Sequence, residues 1–242
     1  QPVSGLAMNT QRRGRRTESA KQPINQLPWG QPQLTLEPSR ILSDDHLEAI
    51  HLESLRVLEE IGMDMTYPEA REILGRAGAS VKGDRVRIGR EIVEQALKTP
   101  PSEFTFHARN PERNIRIGGK WIAFAPVGGP PNCSDLDRGR RPGTLADCGN
   151  FVKLSQFFNT VHTAGGASVD ALDVHASIRH LHITRNKMVY SDKVPFASST
   201  GRHRLFDAIE IVRLAHGISQ EQLLQQPCAY TVINTNSPLK LD

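Results

Sequence analysis

Apolar positions fall into two rhythms along the chain, preceded by a stretch with none. Residues 1–40 lack periodicity and hold Pro2, Pro23, Pro28, Pro32 and Pro38, so they read as a disordered, extended leader. From Ser43 the stripe Leu47, Ile50, Leu55, Val57, Leu58 and Ile61 predicts a helix. Ser43 suits its N-cap, Asp44 and Asp45 suit the positive helix end, and Gly62 ends it. A second helix is expected from a Thr66/Glu69 capping box to Ala77, stopped by Gly78. Val81–Ile88 reads as a short hairpin about Lys82-Gly83-Asp84, and Arg90–Lys98 as a third helix halted by Pro100 and Pro101.

Beyond residue 104 the rhythm changes. Thr105–Phe106, Ile115–Ile117 and Trp121–Pro126 predict strands, and Thr144–Phe158 a helix. Val161–Ala167 is a strand or close-packed loop, followed by helix Ala171–Met188, strand Val194–Ser198 and helix Arg202–Ala215. A short helix over Gln220–Leu224 then leads to strand Cys228–Ile233, whose apolar character predicts burial on both faces. Helix alternating with apolar strand argues for βα units and a parallel sheet, hence an α/β fold. Such units fit either an open doubly wound sheet or a closed (β/α)8 barrel. No glycine-rich phosphate loop marks a βα turn, which weakens the nucleotide-binding open sheet.

Glycine and proline crowd His107–Asp147, a segment that also holds the apolar runs Ile115–Ile117 and Trp121–Val127. Shaped loops on a rigid sheet commonly carry binding and catalysis, although paired surface hairpins would give the same pattern. The wording of the chain is more specific. Four stretches, the helix Ser43–Gly62, H-A-R-N-P (107–111) with I-G-G (117–119), D-R-G-R-R-P-G-T (137–144) and I-N-T-N-S-P-L (233–239), together resemble the trimethylamine methyltransferase (MttB-like) family of corrinoid-dependent methyltransferases.

The resemblance implies a partial (β/α)8 TIM-type barrel preceded by an N-terminal helical segment. On this reading residues 1–40 form the basic leader, 41–103 the helical segment, and 104–242 the first βα units of an incomplete barrel. A full barrel takes about 250 residues, so the expectation is the N-terminal portion of a longer enzyme. Half a barrel would expose strand edges and apolar faces and be poorly soluble alone. The activity implied is transfer of a methyl group from a methylated amine, either trimethylamine or a quaternary amine such as glycine betaine, to a corrinoid protein. The corrinoid would be carried by that partner and not bound directly by this chain. A quaternary ammonium leaves as a neutral amine, whereas a neutral amine would have to leave as an amide anion. Members acting on trimethylamine carry pyrrolysine, at a position expected beyond this chain, so no catalytic residue carries over. A rival reading is a catalytically incomplete interaction module docking a corrinoid protein. A third is a different barrel enzyme acting on a phosphorylated substrate.

Charge looks at first like a nucleic-acid signal, with a net +4. Arg12, Arg13, Arg15, Arg16, Lys21 and Arg40 against Glu18 and Glu37 account for all of it, so the basicity belongs to the leader and no nucleic-acid partner is expected. No apolar run approaches the ~18 residues of a membrane span, and no apolar h-region lies near the start, so secretion is not expected. Three cysteines, Cys133, Cys148 and Cys228, without close pairing fit a reducing cytoplasm. A homo-oligomer is compatible with all of this.

Candidate substrate-binding residues follow strands. Asn234, Asn236 and Ser237 come after the last one, where barrel loops form the active face, although N-T-N-S-P is also turn chemistry. His162 follows Val161 and is either catalytic or structural; Ser198, Ser199 and Thr200 are either site residues or a helix N-cap, the latter favoured. Phe124, Phe196 and Tyr230 are the aromatic faces available to a quaternary ammonium, and core packing is the alternative for each. Asp135, Asp137, Arg138, Arg140 and Arg141 form a charged loop that is either a ligand surface or a set of ion pairs. No metal site is expected: the cysteines lack a C-x-x-C, and His180 and His182 fall on different helix faces.

Overall fold

The structure, a computed structural model, describes residues 24–198 and 200–241. The arginine cluster of the leader and Ser199 lie outside the described residues.

Helix α1 (Asp44–Arg56) begins where expected, with the Ser43 hydroxyl accepting the His46 N–H. It passes into a π-helical turn over Val57–Ile61 and stops at Gly62, whose φ is 76°. There a Cβ would meet the Val86 carbonyl at 2.4 Å, so glycine is required. Strand β1 (Met63–Met65), helix α2 (Pro68–Arg76), strands β2 (Ser80–Lys82) and β3 (Arg85–Arg87) and helix α3 (Arg90–Leu97) complete this part. The expected Thr66/Glu69 capping box does not form. Tyr67 is the N-cap, Thr66 Oγ1 donates to the Leu241 carbonyl, and Glu69 is taken up by Tyr67 and Arg202.

Strands β4 (Glu103–Phe106) and β5 (Ile115–Gly118) pair antiparallel, as do β6 (Asn132–Asp135) and β7 (Gly139–Pro142). Trp121–Pro126, expected as a strand, is irregular apart from a bridge between Trp121 and Gln33. Its backbone donors go elsewhere: the Ile122 N–H to the Pro32 carbonyl, and the Phe124 N–H to the His162 ring. Residues 24–36 thus run extended against the body, with Gln31 bonding both the N–H and the C=O of Arg116.

Helix α4 (Leu145–Phe157) opens with a complete Thr144/Asp147 capping box. Strand β8 (Thr163–Gly165) follows. Helix α5 (Arg179–Tyr190) starts later than expected, because residues 171–178 turn back onto the start of α4, where Asp173 accepts the Leu145 N–H. Strand β9 (Val194–Pro195) pairs parallel to β8. Helices α6 (Arg202–His216) and α7 (Gln220–Gln225) lead to Tyr230, which bridges parallel to Phe196, and β10 (Lys240–Leu241) pairs parallel to β1.

The expected strand Cys228–Ile233 therefore shrinks to one bridged residue. Among the described residues nothing pairs with its other edge, and Val232 and Ile233 are 51% and 70% exposed instead of buried on both faces. The fold is α/β with small sheets, and no closed barrel forms among the described residues. Helix α5 packs between α4 and α6, and buried clusters around Cys148–Val169–Ile183, Ile115–Val194 and Met188–Val212–Cys228 form the core.

Candidate functional site

Two glycine-rich turns meet at one end of the parallel strands. Gly165, at φ 69°, lies so close to Pro126 that a Cβ would sit 2.8 Å from its ring, and a Cβ on Gly128 would sit 3.0 Å from the Ala167 carbonyl. The contact is sealed by the Gly129 N–H donating to that carbonyl at 2.8 Å. Behind it opens a cavity of about 580 Å³, within the range of small-molecule sites. Its walls come from segments just past β8 (Gly166, Ala167, Asp170), past β9 (Phe196, Ser198, Thr200) and past Tyr230 (Val232). It therefore lies at the carboxyl ends of the parallel strands, where α/β folds place ligands.

The apolar wall carries Phe196 and Tyr230, packed edge to face with centroids 5.4 Å apart. The Tyr230 hydroxyl is tied to Thr163 Oγ1 at 3.0 Å, and burial pushes its pKa up. Four basic side chains, Arg179, His180, Lys187 and Arg204, also line the cavity. Arg179 pairs with Asp170 at 3.2 Å and also donates to the Val174 carbonyl. Among the described residues Arg204 donates to Thr200 Oγ1 and the Ala176 carbonyl, each at 3.4 Å. His180 Nε2 lies 2.8 Å from Asp207, while its buried Nδ1 has no partner among the described residues. Lys187 is 3% exposed; its Nζ donates to the Phe196 carbonyl at 2.8 Å and lies 5.5 Å from the Phe196 ring centroid. Burial pulls its pKa down to about 8.

Of the candidates Asn234, Asn236, Ser237, His162 and Tyr230, Tyr230 lines the cavity and the other four do not. His162 is 1% exposed and structural in its bonding. Its Nδ1 accepts the Phe124 N–H at 2.9 Å, which leaves the proton on Nε2, 3.2 Å from the Gly30 carbonyl. Burial lowers its pKa, and Trp29 and Phe124 flank the ring, so it pins residues 29–30 to β8. Asn234, Asn236 and Ser237 are exposed. They run into a turn in which Asn236 and Lys240 exchange backbone bonds, which carries them toward β1. Phe196, Ser198 and Thr200 line the cavity. The favoured N-cap role fails, since α6 is capped at Gly201 without a side-chain bond.

The charged loop closes on itself. Arg141 binds Asp147 through both carboxylate oxygens at 2.5 and 2.6 Å and reaches Asp135 at 3.2 Å, holding the Asp147 carboxyl well below the usual range. Sequence reasoning missed Lys187, Arg179, Arg204 and His180. The legible signal was Lys187 four residues after Ile183 on an apolar helix face, a position where lysine is rarely found without a reason.

A cavity of ligand size thus lies at the carboxyl ends of the parallel strands of an α/β fold. The chain belongs to the trimethylamine methyltransferase (MTTB) family, whose model matches residues 9–242. It is 39% identical over 202 residues to a glycine betaine methyltransferase of Desulfitobacterium hafniense strain Y51, covering 84% of this chain and 42% of the relative. It is 28% identical to a trimethylamine methyltransferase MttB of D. hafniense strain DSM 10664 / DCB-2, over 82% of this chain and 40% of the relative. A proline betaine:corrinoid methyltransferase of Eubacterium limosum is 29% identical over 66% of this chain and 33% of its own length. The chain thus spans about two-fifths of the length of the first two relatives. Among the described residues no helix is long and apolar enough to cross a membrane.

Proposed function

We propose that this chain is the amino-terminal part of a methyltransferase that takes a methyl group from a methylated amine and passes it to a corrinoid carried by a partner protein. The observation that carries the reading is the cavity at the carboxyl ends of β8, β9 and Tyr230, in a chain whose relatives bear methylamine and betaine methyltransferase names. In the reaction the methyl carbon bonds to the reduced cobalt of the partner's corrinoid, which supplies the electron pair. The C–N bond breaks with its electrons staying on nitrogen, so a quaternary ammonium leaves as a neutral tertiary amine. Residues 104–242 are then the first βα units of a (β/α)8 barrel, after a 41–103 segment and a 1–40 leader, in a cytoplasmic protein. Phe196 and Tyr230 face the methylated end of the substrate. Asn234, Asn236 and Ser237 come into play only if their turn folds back over the cavity, and His162 acts by holding β8 in place. The interaction-module reading is not favoured, because the matching stretch of these relatives belongs to proteins named as methyltransferases.

The test is formation of methyl-cobalt from a reduced corrinoid acceptor by the full-length protein, with trimethylamine and glycine betaine as alternative donors. Methyl transfer from either donor supports the reading, and none from any methylated amine overturns it.

A further inference from the structure

We infer that residues 24–36 are a strap that sets the cavity wall Ala125–Gly129, and that His162 is the positioning residue through which the strap acts. This goes beyond the proposed function, because the coupling is readable whether or not methyl transfer is found.

The strap is fastened along its length. At the end of α4, the Asn159 N–H donates to Gln26 Oε1 at 2.9 Å, and Gln26 Nε2 donates to the Phe157 carbonyl at 3.3 Å. The Asn159 side chain donates to the Leu27 carbonyl at 2.9 Å. On β5, Gln31 bonds the N–H and the C=O of Arg116, and further on the Leu34 N–H donates to the Lys120 carbonyl at 2.8 Å. Between these points Trp29 lies edge-on to the His162 ring, and the Arg113 guanidinium sits 5.1 Å from its centroid.

The His162 ring turns this fastening into a link. A neutral imidazole has one donor and one acceptor. The Phe124 N–H can only donate, so Nδ1 carries no proton, and Nε2–H faces the Gly30 carbonyl at 3.2 Å. One tautomer thus serves both segments: the strap carbonyl holds the proton on Nε2, which keeps Nδ1 open to Phe124. The His162 backbone N–H donates to the Phe124 carbonyl at 2.9 Å, so a single residue grips Phe124 by both its N–H and its C=O. Directly after Phe124 come Ala125, Pro126, Gly128 and Gly129, which line the cavity. Pro126 abuts Gly165, and the Gly129 N–H is bonded to Ala167, so a shift at Phe124 passes along a close-packed seam to the rim. If the strap lifts, Nε2–H loses its acceptor and the tautomer that Phe124 needs is no longer fixed. Such coupling is reciprocal, so a ligand that orders the wall should also hold the strap down.

Hydrogen exchange of the full-length protein, read at residues 24–36 and at Phe124–Gly129, tests this. Gln26→Ala/Gln31→Ala removes side-chain bonds of the strap without touching His162 or the cavity, and should speed exchange in both segments by about 3- to 10-fold. Asparagine at 162 offers an oxygen near the place of Nδ1, and glutamine reaches the place of Nε2. His162→Asn should therefore loosen the strap more than the wall, and His162→Gln the wall more than the strap. In the His162→Asn background the two glutamine changes should no longer reach the wall. With glycine betaine as methyl donor, Gln26→Ala/Gln31→Ala should raise KM by about 3- to 10-fold and leave kcat within about twofold. Exchange alone decides if no methyl transfer is found. A strap that stays protected in Gln26→Ala/Gln31→Ala overturns the inference, as does a loosened strap that leaves Phe124–Gly129 unchanged. So does a wall response that persists in the His162→Asn background, which would route it through the Ile122–Pro32 bond instead. Should neither His162 variant fold, the ring's 15N resonances decide: Nε2–H alone in the parent, mixed tautomers in the strap variant, and an unchanged signature there sinks the role of His162.

Discussion

Lys187 and Lys193 are both buried, at 3% and 1% exposure, and burial pulls both pKa values down to about 8. Their surroundings differ in one respect. Lys193 Nζ donates to the carbonyls of Ser155, Phe158 and Val161 at 2.5, 2.9 and 2.7 Å, so three donors meet three acceptors and close the end of α4 against β8. Among the described residues Lys187 Nζ has the Phe196 carbonyl alone, and it lines the cavity. Burial and pKa direction do not separate the two lysines; the donor inventory does.

The sharpest way to break this comparison is to remove each ammonium. Lys193→Met leaves three carbonyls without their donor, and should cost about 3–5 kcal/mol, the range for removing one partner of a buried charge network. Denaturant unfolding of the full-length protein checks this, and a loss below about 1 kcal/mol would mean that water replaces the lysine. Gly165→Ala tests the rim of the cavity without touching either lysine. It forces a side chain into a backbone at φ 69° and against Pro126 at 2.8 Å, and should cost about 1–3 kcal/mol. Thermal unfolding reads it, and an unchanged melting point would show that the two glycine turns can part.

Lys187→Met should behave unlike Lys193→Met. It removes an under-bonded buried charge and replaces it with a side chain of similar length, so stability should change by less than about 1.5 kcal/mol, in either direction. If Lys187→Met proved as damaging as Lys193→Met, both lysines would be structural and the contrast would collapse.

Much of the scaffold was legible because its signals are local. Ser43 as an N-cap, Gly62 and Gly78 as stops and the Lys82-Gly83-Asp84 turn depend on neighbours in sequence, and each stands where the pattern put it. Trp121–Pro126 and Cys228–Ile233 failed as strands because a strand needs a ladder partner. The first spends its N–H groups on Pro32 and His162, and the second finds one edge only. Of the site, the aromatic pair Phe196 and Tyr230 was legible, since both sit at strand ends. The basic side chains were not. Lys187, Arg179, His180 and Arg204 are scattered over two helices, and nothing in their spacing says that the turn at 171–178 aims both helices at one cavity.

The gentlest probe of the comparison is pH. Lys187 titrates near 8 in the folded protein and near ~10.4 when unfolded. Between those values the folded state holds fewer protons, so this group's contribution to stability is complete above ~10.4 and is lost as pH falls toward 8. The stability gap between wild type and Lys187→Met should therefore shift in favour of wild type as pH rises from 8 to 10. The ionisable groups that line the same cavity are Arg179, Arg204, His180, Asp170 and Tyr230, and Cys148 interacts electrostatically with Lys187. Arginine stays charged across this range, and burial pushes Tyr230 and Cys148 above their ordinary values, away from it. A stability gap that stays flat from pH 8 to 10 would mean that burial does not depress this ammonium, and would leave the donor count as what separates Lys187 from Lys193.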